Sequence, residues 1–331
     1  MLEHEQHILY VFPGQGSQYA GMGSDLHEEF AVARKIYAEA GEVLGYDIAE
    51  LSFADPEDKL NLTRYTQPAL LTHSVACLEI FRELTDDRLK PAITAGHSLG
   101  EYTALVAAKV LSFEGALRLV QKRGELMGTH GEGEMTAFPL ALDVIKPIAE
   151  KFNCAVAGCN LPEQTVVGGR SEDLEKVEQE VKENFRRKRP VRLKTEGAFH
   201  TFYMNKAAEL FRPVLEEATF ESAEARVLSN YTGGYHEDDP AKIRDGLYYQ
   251  LRNPVLWHAN LLTAFGDGVK MIFEFGGGIG GAETPDGKRP NLEGMIKKAG
   301  AAAEHEAQYR AAINLQSVRE TADFVNNPGA G

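Results

Sequence analysis

Cysteine is scarce in this chain: Cys77, Cys154 and Cys159 are the only three in 331 residues. Their odd number and the lack of a C-x-x-C pair argue against a disulfide framework and against a thiolate zinc or redox site. They read as buried, reduced thiols. Long apolar runs are missing as well. None approaches the roughly 18 residues a membrane span needs, and residues 1–7 carry charges where a signal peptide would be apolar. The expectation is a cytoplasmic protein with no membrane contact. Positive charge is in deficit, 35 Lys and Arg against 49 Asp and Glu for a net charge of −14. That balance removes nucleic acid as a partner attracted by net charge. His4 and His7 have neither a partner cluster nor an H-E-x-x-H pattern, so no metal and no cofactor is expected.

What is present is a core. At 43% hydrophobic content the chain can bury one large domain, or a large domain carrying a smaller one. Residues 8–12, Ile-Leu-Tyr-Val-Phe, form a short apolar run that stops at Pro13-Gly14-Gln15-Gly16 and predicts a buried strand feeding a tight turn. A helix is predicted over 67–84, started by Pro68, and a strand over 92–96 ending at Gly96. Alternation of strand and helix favours a parallel sheet. Between 128 and 195 the order changes to strand 135–142, helix 143–152, strands 154–158 and 164–168, helix 171–185 and strand 190–194. That is the split β-α-β order of a ferredoxin-like unit.

The fold class expected is therefore α/β: a large α/β-hydrolase-like domain (1–127 and 196–320) with an inserted ferredoxin-like subdomain (128–195). A last strand is expected over 271–275, and a frayed tail over 321–331.

Gly96-His97-Ser98-Leu99-Gly100 matches G-x-S-x-G between a predicted strand and a predicted helix, the context in which the motif presents a nucleophile. A turn this sharp needs small neighbours, and the helix N-terminus behind it offers free N–H groups to an oxyanion. The bland alternative is a glycine-flanked serine that caps a helix. A serine hydroxyl also needs a base. Of ten histidines, His97 adjoins Ser98 but need not share its side of the turn. His200, in Gly197-Ala198-Phe199-His200, follows the strand that closes the small unit; by position alone it could be an ordinary surface histidine.

A helix is predicted over 112–127, capped by Ser112, with Phe113, Ala116, Leu117, Val120 and Met127 as its apolar stripe. Arg118 and Lys122 fall on the solvated face. Arg123 falls at the edge of the stripe, where a guanidinium requires a carboxylate from the protein or from a ligand. A structural salt bridge and a site for a carboxylated acyl group, held by two parallel hydrogen bonds, both satisfy that requirement.

Taken together, these segments resemble the malonyl-CoA:acyl carrier protein transacylase family, including the discrete acyltransferases of polyketide synthases. The resemblance rests on residues 12–18 (Phe-Pro-Gly-Gln-Gly-Ser-Gln), 66–69 (Thr-Gln-Pro-Ala), 96–101 (Gly-His-Ser-Leu-Gly-Glu), 123–127 (Arg-Gly-Glu-Leu-Met), 197–200 and 253–255 (Asn-Pro-Val), in the family's order. It implies that Ser98 carries the acyl group as an ester, that His200 is general acid and base, and that Arg123 holds a malonyl carboxylate. It assigns the oxyanion hole to the backbone N–H groups of Gln15 and Leu99, and the orientation of the histidine to the carbonyl of Gln250. Phe199, Asn160, Met127 and His97 surround the acyl pocket in this resemblance, and a bulky ring at 199 is similar to malonyl-selective members. The implied donor is malonyl-CoA or a related carboxylated acyl thioester, the implied acceptor an acyl carrier protein.

Two segments depart from the family pattern: residues 133–140 (Gly-Glu-Met-Thr-Ala-Phe-Pro-Leu) and the loop 276–289 with its Gly-Gly-Gly-Ile-Gly-Gly start. Gly276, Gly278 and Gly281 also spell G-x-G-x-x-G, but Thr284-Pro285-Asp286-Gly287 follows in place of a helix, which argues against a dinucleotide site. Arg186, Arg187, Lys188, Arg189, Arg192 and Lys194 form a basic cluster in an acidic chain. It is either ordinary helix-end charge or a landing area for an acidic carrier. An acyl hydrolase on the same scaffold and a non-catalytic docking protein are the rival functions, and transfer of an unusual carboxylated extender unit is a variant of the first.

Overall fold

The computed structural model describes residues 7–327; His4 lies outside the described residues. Five strands, β1 (Ile8–Phe12), β2 (Ile93–Gly96), β7 (Arg226–Val227), β8 (Met271–Phe275) and β9 (Gln308–Ala312), form one sheet in the order β7-β2-β1-β8-β9. Every pairing in it is parallel. A parallel strand at the centre must bury both faces, so its sequence is apolar throughout rather than alternating. β1 obeys this: Ile8, Tyr10 and Phe12 join one core cluster with the helices Thr63–Leu84 and Gly100–Ala107, whereas Leu9 and Val11 join a second with Trp257, Leu261 and Ile296. Tyr10 stands edge-on to Phe273 and Phe275, with ring centroids 5.8 and 4.9 Å away. Removing an aromatic ring from such a site costs about 3–5 kcal/mol.

The second sheet contains β3 (Glu134–Phe138), β4 (Ala155–Leu161), β5 (Gln164–Gly169) and β6 (Val191–Leu193) in the order β4-β5-β3-β6, all antiparallel. The helices Leu142–Lys151 and Ser171–Asn184 cover one face through Ile145, Ala149, Leu174, Val177 and Val181. β4 is also tied to the larger unit: Cys159 N donates to Val255 O at 2.8 Å and Val255 N to Ala157 O at 3.0 Å. Cys77 and Cys154 are buried, whereas Cys159 is half-buried. No helix among the described residues is long and apolar enough to cross a membrane.

Two expectations about helix ends are corrected. The long helix starts at Thr63, not at Pro68, which lies inside it. Its N-terminus has no local side-chain cap; Glu196, distant in the chain, accepts from Thr63 N instead. The expected tail is helical as far as Asn326, because the helix Leu315–Asn326 is started by a capping box of Asn314 and Ser317 and buries Val318, Thr321 and Ala322.

Candidate active site

Ser98 sits between β2 and the helix Gly100–Ala107 with φ of +52°. A left-handed serine is strained, and the surrounding glycines show what holds it. A Cβ at Gly96 would lie 1.8 Å from the Gly100 carbonyl carbon, and one at Gly100 would lie 2.1 Å from Phe12 O. Only glycine allows strand, turn and helix to approach this closely. Asn230 clamps the turn, accepting from Ser98 N at 2.6 Å and donating to Gly96 O at 2.8 Å. Among the amides of residues 97–102, Leu99 N alone has no protein acceptor among the described residues, and Gln15 N has none either. The Gln15 side chain is anchored on Thr63 Oγ1 at 3.1 Å.

His200 Nε2 lies 2.6 Å from Ser98 Oγ, and His200 Nδ1 lies 2.7 Å from the backbone oxygen of Gln250. A carbonyl only accepts, so Nδ1 carries the proton and Nε2 is the bare nitrogen that receives the serine O–H. Burial, then the nearby Arg123 cation, lowers the His200 pKa to about 3, while the Gln250 carbonyl works in the opposite direction. The free site therefore holds a neutral imidazole.

Arg123 is fully buried, while Arg118 and Lys122 on the same helix stand in solvent beside Glu114 and Glu125. The carboxylate expected to meet Arg123 is not supplied by the described residues. Nη1 donates to Gln67 Oε1 at 2.9 Å, and Nη2 donates to Gln250 Oε1 at 2.9 Å and to Ser98 Oγ at 3.2 Å. Two amides and a hydroxyl thus hold the guanidinium, and burial lowers its pKa. Met127 touches this group at one remove, its sulfur 3.4 Å from Gln67 Nε2.

The structure thus brings Ser98, His200, Arg123 and Gln250 into direct contact. An activated hydroxyl beside a neutral imidazole, with unpartnered N–H groups and a buried cation, can form and hold an acyl ester. An acyl transferase domain family matches residues 9–274. The chain is 38% identical over 301 residues to the malonyl CoA-acyl carrier protein transacylase of Bacillus subtilis (strain 168), covering 88% of this chain and 90% of that protein. The chain belongs to the malonyl CoA-acyl carrier protein transacylase family, and it is an acyltransferase. Its fold is similar to the solved transacylase from Xanthomonas oryzae pv. oryzae, with a TM-score of 0.85, 32% identity and coverage of 96% of this chain and 98% of that one. A malonyl-transacylase solved in complex with a type II PKS acyl-carrier protein is also 32% identical, with a TM-score of 0.84 over 96% of this chain and 99% of that one.

Beside this transacylase centre, His97 is held by β4. Its Nε2 donates to Asn160 Oδ1 at 2.9 Å and its ring stands edge-on to Trp257, so it braces β4 against the turn. Phe199 is buried beside Gly197, where a Cβ would lie 3.2 Å from its ring. The glycine-rich loop after β8 is structural: Gly277 N donates to His73 Nδ1 at 2.9 Å and Gly278 N to Ser17 O at 2.8 Å, supporting the turn that carries Gln15. Sequence reasoning gave no role to Gln67 or Glu101, although both lie inside motifs it quoted. Asn230 carried no local signal.

Proposed function

We propose that this chain moves a malonyl-type acyl group from coenzyme A, through an ester on Ser98, to the phosphopantetheine thiol of an acyl carrier protein. The observation that carries the proposal is the buried guanidinium of Arg123, which lacks a carboxylate among the described residues and lies 3.2 Å from Ser98 Oγ. A free carboxylate at the far end of a short acyl chain is the ligand that completes this site.

Ser98 Oγ attacks the thioester carbonyl and passes its proton to His200 Nε2. The N–H groups of Gln15 and Leu99 hold the oxyanion, and its collapse expels the coenzyme A thiolate, which takes the proton from His200. The carrier thiol then attacks the serine ester, His200 removes the thiol proton, and the departing Ser98 oxygen recovers it. Gln250 holds the imidazole by its backbone carbonyl. Phe199 crowds an α-branch, and Asn160, Met127 and His97 shape the rest of the acyl pocket. A carboxylate on Arg123 also offsets the cation that depresses His200, so the donor itself makes the base more basic.

The same proposal treats residues 128–195 as the subdomain that closes the pocket and places the protein in the cytoplasm with its thioester substrates. The test is a turnover assay with malonyl-CoA and a carrier bearing its phosphopantetheine thiol. Malonyl-carrier formation faster than release of free malonate supports transfer. Rapid free malonate with or without carrier supports a hydrolase instead.

A further inference from the structure

A buried guanidinium with only neutral acceptors is costly, and its Nε has no partner among the described residues. A compensating charge lies one amide further on. Gln250 accepts from Arg123 Nη2 with Oε1 at 2.9 Å, and its Nε2 donates to Glu101 Oε2 at 3.1 Å. Glu101 is fully buried. It also accepts from Asn230 N at 3.1 Å and from His236 Nε2 at 2.6 Å.

We propose that Glu101 is the displaced counter-ion of Arg123, held one amide away by Gln250 so that the guanidinium is balanced in the free protein yet open to a substrate carboxylate. The proposal rests on Arg123 being a carboxylate binder. A direct ion pair would occupy the guanidinium and have to be broken by each substrate, whereas a cation with no balancing charge would weaken the fold. An intervening amide avoids both.

The two charges also fix which way that amide points. Its oxygen must face the guanidinium and its nitrogen the carboxylate; the same nitrogen donates to Ser98 O at 2.8 Å. Because the backbone carbonyl of this residue orients His200, Glu101 is a positioning residue for the base, acting through Gln250. Through Asn230 it reaches the Ser98 turn by a second path.

The test is a stability cycle on the full chain with Glu101→Gln, Arg123→Gln and the double variant, together with calorimetry using malonate as the probe. Glu101→Gln keeps the shape and removes the charge. The double variant is expected to lose clearly less stability than the sum of the singles. Malonate is expected to bind Glu101→Gln roughly tenfold tighter than the unaltered protein, because a nearby negative charge is gone. Additive losses, or malonate binding that is unchanged or weaker, would make Glu101 a neutral strut and overturn the proposal. Coupled stabilities with no malonate binding to either protein would support the counter-ion and sink the carboxylate reading of Arg123. Should Glu101→Gln not fold, recovery of folded protein on adding Arg123→Gln supports the counter-ion, and failure of both contradicts it.

Discussion

Arg123 Nη2 lies 3.2 Å from Ser98 Oγ, although one residue belongs to the middle of a helix and the other to the turn after β2. The contact puts a fixed positive charge against the oxygen that would carry an acyl group. In the proposed reading it would set the length as well as the charge of the acyl chain, because the carboxylate would have to end where the guanidinium begins.

Arg123→Ala should therefore impair loading from malonyl-CoA far more than loading from acetyl-CoA. Two charge-assisted hydrogen bonds contribute about 1.5–3 kcal/mol each, so the malonyl rate should fall by about 10²-fold or more. Single-turnover loading with both donors checks this. Equal losses would make the arginine structural.

Acid should weaken the fold in a predictable window. His200 and His73 are both held near pKa 3, against an ordinary value of 6.5, chiefly by burial. Each is neutral when folded and takes a proton when unfolded below about pH 6.5, so the stabilisation is complete above that pH and is lost as pH falls from there towards 3. Two such groups give a slope of up to about 2.7 kcal/mol per pH unit. Denaturant unfolding at pH 7, 6 and 5 measures it, and a flat profile would contradict it. Arg123→Ala should narrow the window from its acid end, since the cation is the second cause of the His200 shift and its loss raises the folded pKa.

Gly100→Ala should damage the turn. The added methyl would meet Phe12 O at 2.1 Å, a backbone clash that no rotamer relieves. A loss of about 3 kcal/mol or more is expected, with acyl loading falling alongside it; unfolding midpoints near those of the unaltered protein would count against this view of the turn.

The basic cluster before His200 divides in two. Lys188 is paired with Glu163 and Arg192 with Glu134 and Glu178, while Arg186, Arg187, Arg189 and Lys194 are exposed. If the exposed group receives an acidic carrier, Arg187→Glu with Arg189→Glu should raise the KM for carrier severalfold and leave ester formation from malonyl-CoA untouched. An unchanged KM for carrier would remove the patch from the docking surface.

Much of the site was legible because its signals are local. The strand–turn–helix around Ser98 and the stripe that leaves Arg123 on a buried edge are both short-range patterns. The rest depends on which strands lie side by side. Asn230 reaches Ser98 across 132 positions, and Gln250 reaches Glu101 across 149; no window of sequence contains either contact. Thr63 was missed as a helix start for the same reason, because its cap comes from Glu196 while Pro68 offered a plausible but false beginning. The end of the chain was misjudged from its polar composition, which hid a capping box at Asn314.

Intact mass after brief incubation with malonyl-CoA, for the unaltered chain and for Ser98→Ala, tests the central claim most directly. The account predicts one added malonyl group, mapped to the peptide carrying Ser98, and no adduct in the variant. An adduct that persists in Ser98→Ala, or a malonyl group on any other residue, would contradict it.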